Sequence, residues 1–269
     1  MLEIFKQSFM QTALLGGLIT GCLCAYLGVF VILKRIVFIG IALSEISALG
    51  LALGLLVGID PLISASILTF LGIILFWLPF KEKNVSRESL IGFIYAFCAA
   101  ISVILIAKNP FAQGKGLDLL SGNLLYTSWQ DIKILGVVSF FVLIVHLVFF
   151  KEFIFVSFDK ETAFTTGLRA NFIDFLLYLT IGLVISLSMK ACGVIFVFAS
   201  LIIPAMIGLI TAKRVGRIFF ISCLIASFAV LLGLISSYIW DLPTAPCIVG
   251  LYGILFILSL AVKNLFGEG

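Results

Sequence analysis

Charged residues are scarce in this chain of 269 residues: they make up 11% of it, whereas hydrophobic residues make up 63%. A mean hydropathy of +1.32 excludes a water-soluble globular protein, whose surface needs many more charged side chains. Apolar runs of about 20 residues, the length that crosses the hydrocarbon core of a bilayer, recur along the chain. The composition therefore predicts an all-α, polytopic bundle of transmembrane helices.

The sequence also lacks motifs for catalysis and for nucleotide binding. It has no Gly-x-Ser-x-Gly, no His-Glu-x-x-His, no pair of intramembrane aspartates and no phosphate-binding Gly-x-x-x-x-Gly-Lys-Ser/Thr. Its basic residues fall in short loops and form no basic domain, so no nucleic-acid partner is expected. We therefore predict a protein that is not an enzyme, holds no cofactor and leaves any ATP hydrolysis to another chain.

Cysteine and histidine, frequent ligands of transition metals, form no metal motif here. The six cysteines lack the close, regular spacing of a zinc site or a disulfide framework, and we interpret them as small packing residues. His146 is the only histidine and lies in an apolar run, where a lone histidine is more often packed than bound to a metal.

Nine apolar segments can be drawn as membrane spans within a single domain, 1–269. We expect a bundle of about 8–9 spans, or ten if a short helix is missed. The segments are 9–33, 36–58, 61–80, 89–107, 132–150, 171–189, 192–211, 215–239 and 243–262. Most of the 17 Lys and Arg residues fall in one set of alternate loops. By the positive-inside rule this set is cytoplasmic, with the N-terminus outside and the C-terminus inside.

Glu45 is an ionisable residue near the middle of the second span. A carboxylate there costs roughly 2.5–3.5 kcal/mol, so it normally faces a protein interior or a water-filled path. Small and polar residues share its helix face at spacings of three and four. They are Gly40, Ser44, Ser47, Ala48 and Ala52. The pattern suits a cation pathway or a buried acid between helices; we favour the pathway, with Ser44 and Ser47 as further candidates.

The stretch 151–170 is the longest connection on the predicted cytoplasmic side. Ser157 or Asp159 can cap a short helix that runs through Ala163, and Gly167 would end it. A helix of this kind, lying on the membrane surface, suits the docking of a soluble partner. The alternative is a connector that only lies at the interface.

Three further charged residues lie at the ends of predicted spans. Asp174 starts the sixth span, where we expect it to cap a helix or to meet Arg169. Lys190 ends that span and is expected to extend outward to the interface. Asp241 precedes Pro243 at the last span, and we interpret it as a helix N-cap, with an acidic vestibule for cations as the second interpretation.

Several segments form one pattern, in order and spacing, over nearly the whole chain. They begin with Lys34-Arg35, continue through the stretches 38–45, 50–54, 122–125 and 159–167, and then include Met189-Lys190, Gly193-Val194, the stretch 201–205 and Asp241-x-Pro243-x-x-Pro246. Together these segments resemble the permease subunits of ABC importers for zinc, manganese and iron.

The resemblance implies a type II-like importer permease in the cytoplasmic membrane of a prokaryote. Two copies would form a homodimer with the translocation path between them, and an extracytoplasmic metal-binding protein would deliver the ion. ATPase subunits, which bind the ATP, would dock on the cytoplasmic loop through Asp159, Ala163 and Gly167.

The chain departs from the family at the position of the metal ligands. The family has an aspartate and, four residues later, a histidine in the second span, where this chain has Ile41 and Glu45. Asn123 stands where an aspartate is common. A carboxylate without an imidazole favours Mn²⁺ or Fe²⁺ over zinc, or a weak transient contact.

We therefore predict the permease subunit of an ATP-driven importer that moves a divalent transition-metal ion (Zn, Mn or Fe). One alternative is an ATP-independent transporter of cations, or one coupled to protons, in which Glu45 acts as a relay. Another is a structural or assembly protein of the membrane.

Overall fold

The structure, a computed structural model, describes residues 8–78, 86–108, 124 and 127–266. Within these ranges the chain forms eleven α-helices and no β-strand, as the composition predicts. The helices are α1 Ser8–Leu33, α2 Val37–Val57, α3 Pro61–Trp77, α4 Arg87–Lys108, α5 Trp129–Val148, α6 Phe150–Phe158, α7 Lys160–Thr165, α8 Ala170–Cys192, α9 Val194–Thr211, α10 Val215–Trp240 and α11 Thr244–Phe266.

Eight of the described helices, all but α3, α6 and α7, are long and apolar enough to cross a membrane. α3 is an apolar helix of 17 residues, short of the roughly 20 that a full span needs. Every predicted segment thus contains a helix. The number of full spans in the described ranges agrees with the lower value of the prediction.

α3 runs antiparallel to α2 and returns the chain to the end of the bundle where α2 begins. A Cβ atom on Gly54 would lie 2.8 Å from Pro61 at the start of α3, and one on Gly72 would lie 2.8 Å from Ile46. α4 then packs along α2. The first turns of α2 and α4 therefore lie at the same end of the bundle.

α1 lies at the centre of the bundle and packs against α9 and α10, with further contacts to α5 and α8. The helices come closest at Gly28, where a Cβ atom would overlap the carbonyl oxygen of Leu201 in α9. Gly17 and Gly21, two of the small residues in the first span, face Val230 of α10. Small side chains thus allow close contact between these backbones.

His146 is a packed residue in the core, as expected for a lone histidine. Its side chain is fully buried in α5, and its Nε2 atom lies 3.0 Å from the Thr180 hydroxyl oxygen of α8. The ring centroid lies 4.5 Å from that of Phe153 and 5.3 Å from that of Phe30. The six cysteines are all free thiols.

One charged residue has a partner that was not predicted, and another has a different role from the one predicted. Lys190 lies in the last turn of α8, as expected, and its Nζ lies 3.0 Å from Oδ1 of Asp131 in α5. Asp241 ends α10 and does not cap α11. Its backbone is left-handed, with φ 50°, and its N–H donates to the carbonyl of Ser237, a helix-ending conformation that aspartate tolerates better than most residues.

Candidate functional site

Four helices, α2, α4, α9 and α11, enclose a cleft of about 770 Å³ whose wall is mostly apolar. α2 presents one face to it, since the lining positions are spaced by about one helical turn. They are Phe38, Ile41, Ser44 and Glu45. α9 contributes apolar side chains that include Phe198 and Ile202, and α11 contributes Val249.

Glu45 lines this cleft and is half-buried. Among the described residues, no lysine or arginine forms an ion pair with it. An intramembrane carboxylate is strongly disfavoured in lipid, and here it borders a cavity. This position fits the pathway interpretation better than that of an acid held in a dry contact between two helices.

The other candidates from the sequence lie in different environments, and only one of them lines the cleft. Ser44 lines the cleft, but its hydroxyl donates to the Gly40 carbonyl at 3.0 Å, within its own helix. Ser47 is completely buried and is not among the lining residues. Asp241 is exposed at the end of α10 and does not line the cleft either. Asn123 lies outside the described residues.

A second carboxylate, Glu88, also lines the cleft and was missed by sequence reasoning. It lies in the first turn of α4, is exposed, and belongs to the same wall as Tyr95. The sequence shows that Glu88 stands next to an apolar run. It does not show that this run packs against α2 and so brings Glu88 to the mouth of the Glu45 cleft.

Among the described lining residues the side-chain donors are oxygens, the carboxylates of Glu45 and Glu88 and the hydroxyls of Ser44 and Tyr95, without imidazole or thiolate. Ile41, at the position where the resemblance implies an aspartate, lines the cleft as well. In the part of the chain that the structure describes, no group of three or more His, Cys, Asp or Glu residues could hold a metal ion. The described part of the cleft therefore presents two carboxylates and does not form a closed coordination site.

The connection 151–170 contains the predicted short helix. Asp159 caps α7: its Oδ1 accepts from the backbone N–H of Thr162 at 3.0 Å, and the Thr162 hydroxyl donates to Oδ2. These hydrogen bonds hold the pKa of Asp159 below its usual range. Gly167 follows α7 with φ 83°, which favours glycine and turns the chain toward α8. Ser157, the alternative cap, is buried within α6.

α7 is exposed along almost its whole length. Ala163 alone is buried in it, and this small side chain faces the bundle. Two aromatic side chains point the other way: Phe158, at the end of α6, is 62% exposed and Phe164 is 66% exposed. Exposed aromatics beside a short surface helix are typical of a protein interface.

The sequence suggested that Asp174 caps a helix or meets Arg169. In the structure it instead forms ion pairs with two lysines from other elements. Its Oδ1 pairs with Lys34, just after α1, and its Oδ2 accepts from Lys160 at 2.6 Å. The reason is that α7 folds back beside α8 and brings its first residue to Asp174. Arg169 lies at the N-terminal boundary of α8 with its side chain exposed.

A match to the ABC 3 transport family covers residues 6–263, and the chain belongs to this family of membrane permeases.

Three relatives match almost the whole chain. The chelated iron transport system membrane protein YfeD of Yersinia pestis is 27% identical, covering 98% of this chain and 88% of its own length. The manganese transport system membrane protein MntC of Halalkalibacterium halodurans is 25% identical, covering 96% and 88%. The high-affinity zinc uptake system membrane protein ZnuB of Haemophilus influenzae is 29% identical, covering 92% and 95%.

A solved structure agrees with this fold. A chain of PsaBC from Streptococcus pneumoniae, determined in complex with Fab, superposes with a TM-score of 0.87 at 27% identity, covering 96% of this chain and 95% of its own length. Iron, manganese and zinc are all represented among the relatives, so similarity alone does not select the metal.

Proposed function

We propose that this chain is the permease subunit of an ATP-driven importer that moves a divalent transition-metal ion across the cytoplasmic membrane. The observation that carries the proposal is the position of Glu45 on a cleft formed by four membrane helices. Membership of the ABC 3 transport family and the names of the relatives support the same class of transporter.

In this proposal Glu45 and Glu88 both stabilise the cation electrostatically, at different depths of the cleft. A dication that leaves water needs anionic or dipolar groups to replace part of its hydration shell. Glu45 supplies such a group deep in the apolar cleft, where screening by water is weak. Glu88 supplies a second one at the mouth. The apolar wall keeps the contact brief, because the other described lining side chains with an oxygen are only the neutral hydroxyls of Ser44 and Tyr95.

A second copy of the chain would complete the path. The cleft of one chain carries too few ligands to enclose a cation, and a two-fold axis beside α2 would repeat every lining residue. The two Glu45 side chains would then approach the path from both sides. We therefore expect a homodimer, with the path between its two α2 helices.

The exposed surface of α6 and α7 is the docking site for an ATPase subunit in this proposal. Phe158 and Phe164 would pack against the ATPase subunit. The Asp159 cap and the Gly167 turn would keep α7 in its orientation. This places the α6–α7 end, and with it the start of α2, at the cytoplasm. The metal-binding protein would dock at the opposite end.

We further propose that the importer prefers Mn²⁺ or Fe²⁺ to Zn²⁺. Neutral imidazole and thiolate are the ligands that favour zinc, whereas carboxylate oxygen suits harder ions. Within the described residues, the acidic groups of the cleft are Glu45 and Glu88, and His146 is buried elsewhere in the core.

The test is metal uptake into proteoliposomes that contain the permease together with its ATPase subunit, supplied with the metal-binding protein. We expect ATP-dependent accumulation that is faster for Mn²⁺ or Fe²⁺ than for Zn²⁺. Uptake that needs no ATPase subunit and follows a proton or sodium gradient would replace the proposal with a gradient-driven transporter. Uptake of zinc alone would agree with the proposed importer but would reject its proposed preference for Mn²⁺ or Fe²⁺.

A further inference from the structure

We propose that Asp174 is a positioning residue that joins the docking helix α7 to the turn leading into α2, so that movement of α7 reaches the helix that carries Glu45. This inference rests on the proposed function, because it concerns how ATPase docking is coupled to the path. It assigns a role to a buried charge that neither the cleft nor the docking surface uses.

Asp174 connects two other elements through its two carboxylate oxygens. Its side chain is 7% exposed, and each carboxylate oxygen has its own lysine partner: Oδ1 pairs with Lys34 and Oδ2 lies 2.6 Å from Lys160 Nζ. Lys34 follows the last residue of α1, and Lys160 is the first residue of α7. One carboxylate of α8 thus connects two elements that are distant in the sequence.

Lys34 belongs to a tight turn that ends α1 and starts α2. The Lys34 N–H donates to the Phe30 carbonyl at 2.9 Å, the Ile36 N–H donates to the Val31 carbonyl at 3.0 Å, and Arg35 between them has a left-handed φ of 57°. α2 begins at Val37, directly after this turn. A shift of Lys34 therefore displaces the start of the helix that lines the cleft.

The two ion pairs differ in burial, and this gives them different roles. The Lys34 side chain is 10% exposed, and its ammonium group also lies 5.9 Å from the Tyr178 ring centroid. The Lys160 side chain is 44% exposed. Exposed ion pairs are weak, whereas a buried charge is held strongly because it is costly to leave without its counterion. Lys34 anchors Asp174 in the bundle, and Lys160 is the weaker, partly exposed pair through which a shift of α7 acts on Asp174.

Space for a movement of α7 is present next to Asp174 and its two lysines. A second cleft, of about 670 Å³, is lined by Asp174, both of its lysines and Ile36 of the α1–α2 turn. Its wall includes polar groups such as Asn171. The Lys160 ammonium and the Asp174 carboxylate can therefore shift together without entering an apolar environment.

The experiment compares ions transported per ATP hydrolysed in the reconstituted permease–ATPase complex, for wild type, Asp174→Asn and Lys160→Met. We expect Asp174→Asn to assemble with the ATPase and to hydrolyse ATP, while the ratio falls about tenfold. Lys160→Met should lower the ratio only about threefold, since that pair is half-exposed. Asp174→Glu, which keeps the charge, should restore most of the ratio.

Lys190→Met is the matched control. It also removes an ion pair of α8, with Asp131, but at the opposite end and without contact to α7. Its ratio should equal that of the wild type. If Asp174→Asn does not assemble, Lys160→Met decides the question, because its partly exposed side chain can be removed without burying an unpaired lysine.

A wild-type ratio in Asp174→Asn, or in Lys160→Met where Asp174→Asn fails to assemble, would overturn the inference and leave the proposed function in place. A loss in Lys190→Met equal to that in Asp174→Asn would also overturn it, since the effect would then be one of general stability. Absence of ATP-driven uptake in the wild type would instead reject the proposed function itself.

Discussion

Glu45 of α2 and Glu88 of α4 line the same cleft, although they belong to different helices and the loop between α3 and α4 lies between them in the sequence. α3 makes this possible by returning the chain to the end where α2 begins, so that α4 starts near the mouth of the cleft. Two carboxylates at different depths, in an apolar wall, are the feature on which the proposed cation transport rests.

The contribution of Glu88 should be measurable and smaller than that of Glu45. We expect Glu88→Gln to slow ATP-driven metal uptake by less than about fivefold, because its side chain is exposed and its field is screened by water. The slowing should grow as the ionic strength is lowered. Uptake unchanged at every ionic strength would remove Glu88 from the path.

The turn after α7 should tolerate glycine far better than a branched residue. Gly167→Val places a β-branched side chain at φ 83°, which costs about 1–2 kcal/mol even though a Cβ atom there meets nothing within 4 Å. We expect weaker binding of the ATPase subunit, measured by co-purification and by ATP hydrolysed per ion transported.

Gly216→Val is the control for this variant. Its Cβ atom also meets nothing within 4 Å, and the residue lies in the first turn of α10 without a positive φ. It should therefore bind the ATPase subunit like the wild type. Equal losses in the two variants would show that the turn conformation at Gly167 is not what matters.

The cap of the docking helix should depend on the acceptor oxygen of Asp159. Asp159→Ala removes the acceptor for the Thr162 N–H and should fray α7, whereas Asp159→Asn keeps an oxygen there. Hydrogen exchange of the Thr162 amide measures the difference. Equal protection in the two variants would mean that the cap does not hold α7.

The same cap has a defined pH dependence. The pKa of Asp159 is lowered in the folded protein by its hydrogen bonds with Thr162, so the cap stabilises α7 fully above the usual pKa of 3.8 and is lost as the pH falls through the lowered value. Protection of the Thr162 amide should drop over that acid range in the wild type. Asp159→Asn should show no such step.

The centre of the bundle should not accept a methyl group at Gly28. A Cβ atom there would overlap the Leu201 carbonyl oxygen, so Gly28→Ala must separate α1 from α9 and should lower stability by about 1–3 kcal/mol. Thermal unfolding in detergent measures the loss. Gly136→Ala, where a Cβ atom meets nothing within 4 Å, is the control and should be neutral or slightly stabilising.

Local patterns in the sequence were sufficient for the helices and for the docking segment. Apolar runs of membrane length predict the spans, because in lipid a helix satisfies its backbone hydrogen bonds internally. The Asp159 cap and the Gly167 turn follow from residue types at fixed offsets, and both are confirmed by the structure. The docking of an ATPase on this segment stays a proposal.

Contacts between distant segments could not be predicted from local patterns. Asp174 was expected to cap a helix or to meet Arg169, its neighbour in the sequence, yet its partners are Lys34 and Lys160. Lys190 was expected to extend outward to the interface, and its ion pair with Asp131 of α5 was not predicted. Each case depends on which helices are neighbours, and the hydrophobic pattern of one helix contains no information on its partner.

The most direct test of the central claim is ATP-driven metal uptake by Glu45→Gln in the reconstituted complex, with Asp241→Asn as the control acid outside the cleft. Removing the charge while keeping the size of the side chain should lower uptake by about tenfold or more, because a charged contact in a poorly solvated cleft is lost. The variant should still assemble with its ATPase subunit. Uptake by Glu45→Gln equal to that of the wild type and of Asp241→Asn would contradict the account.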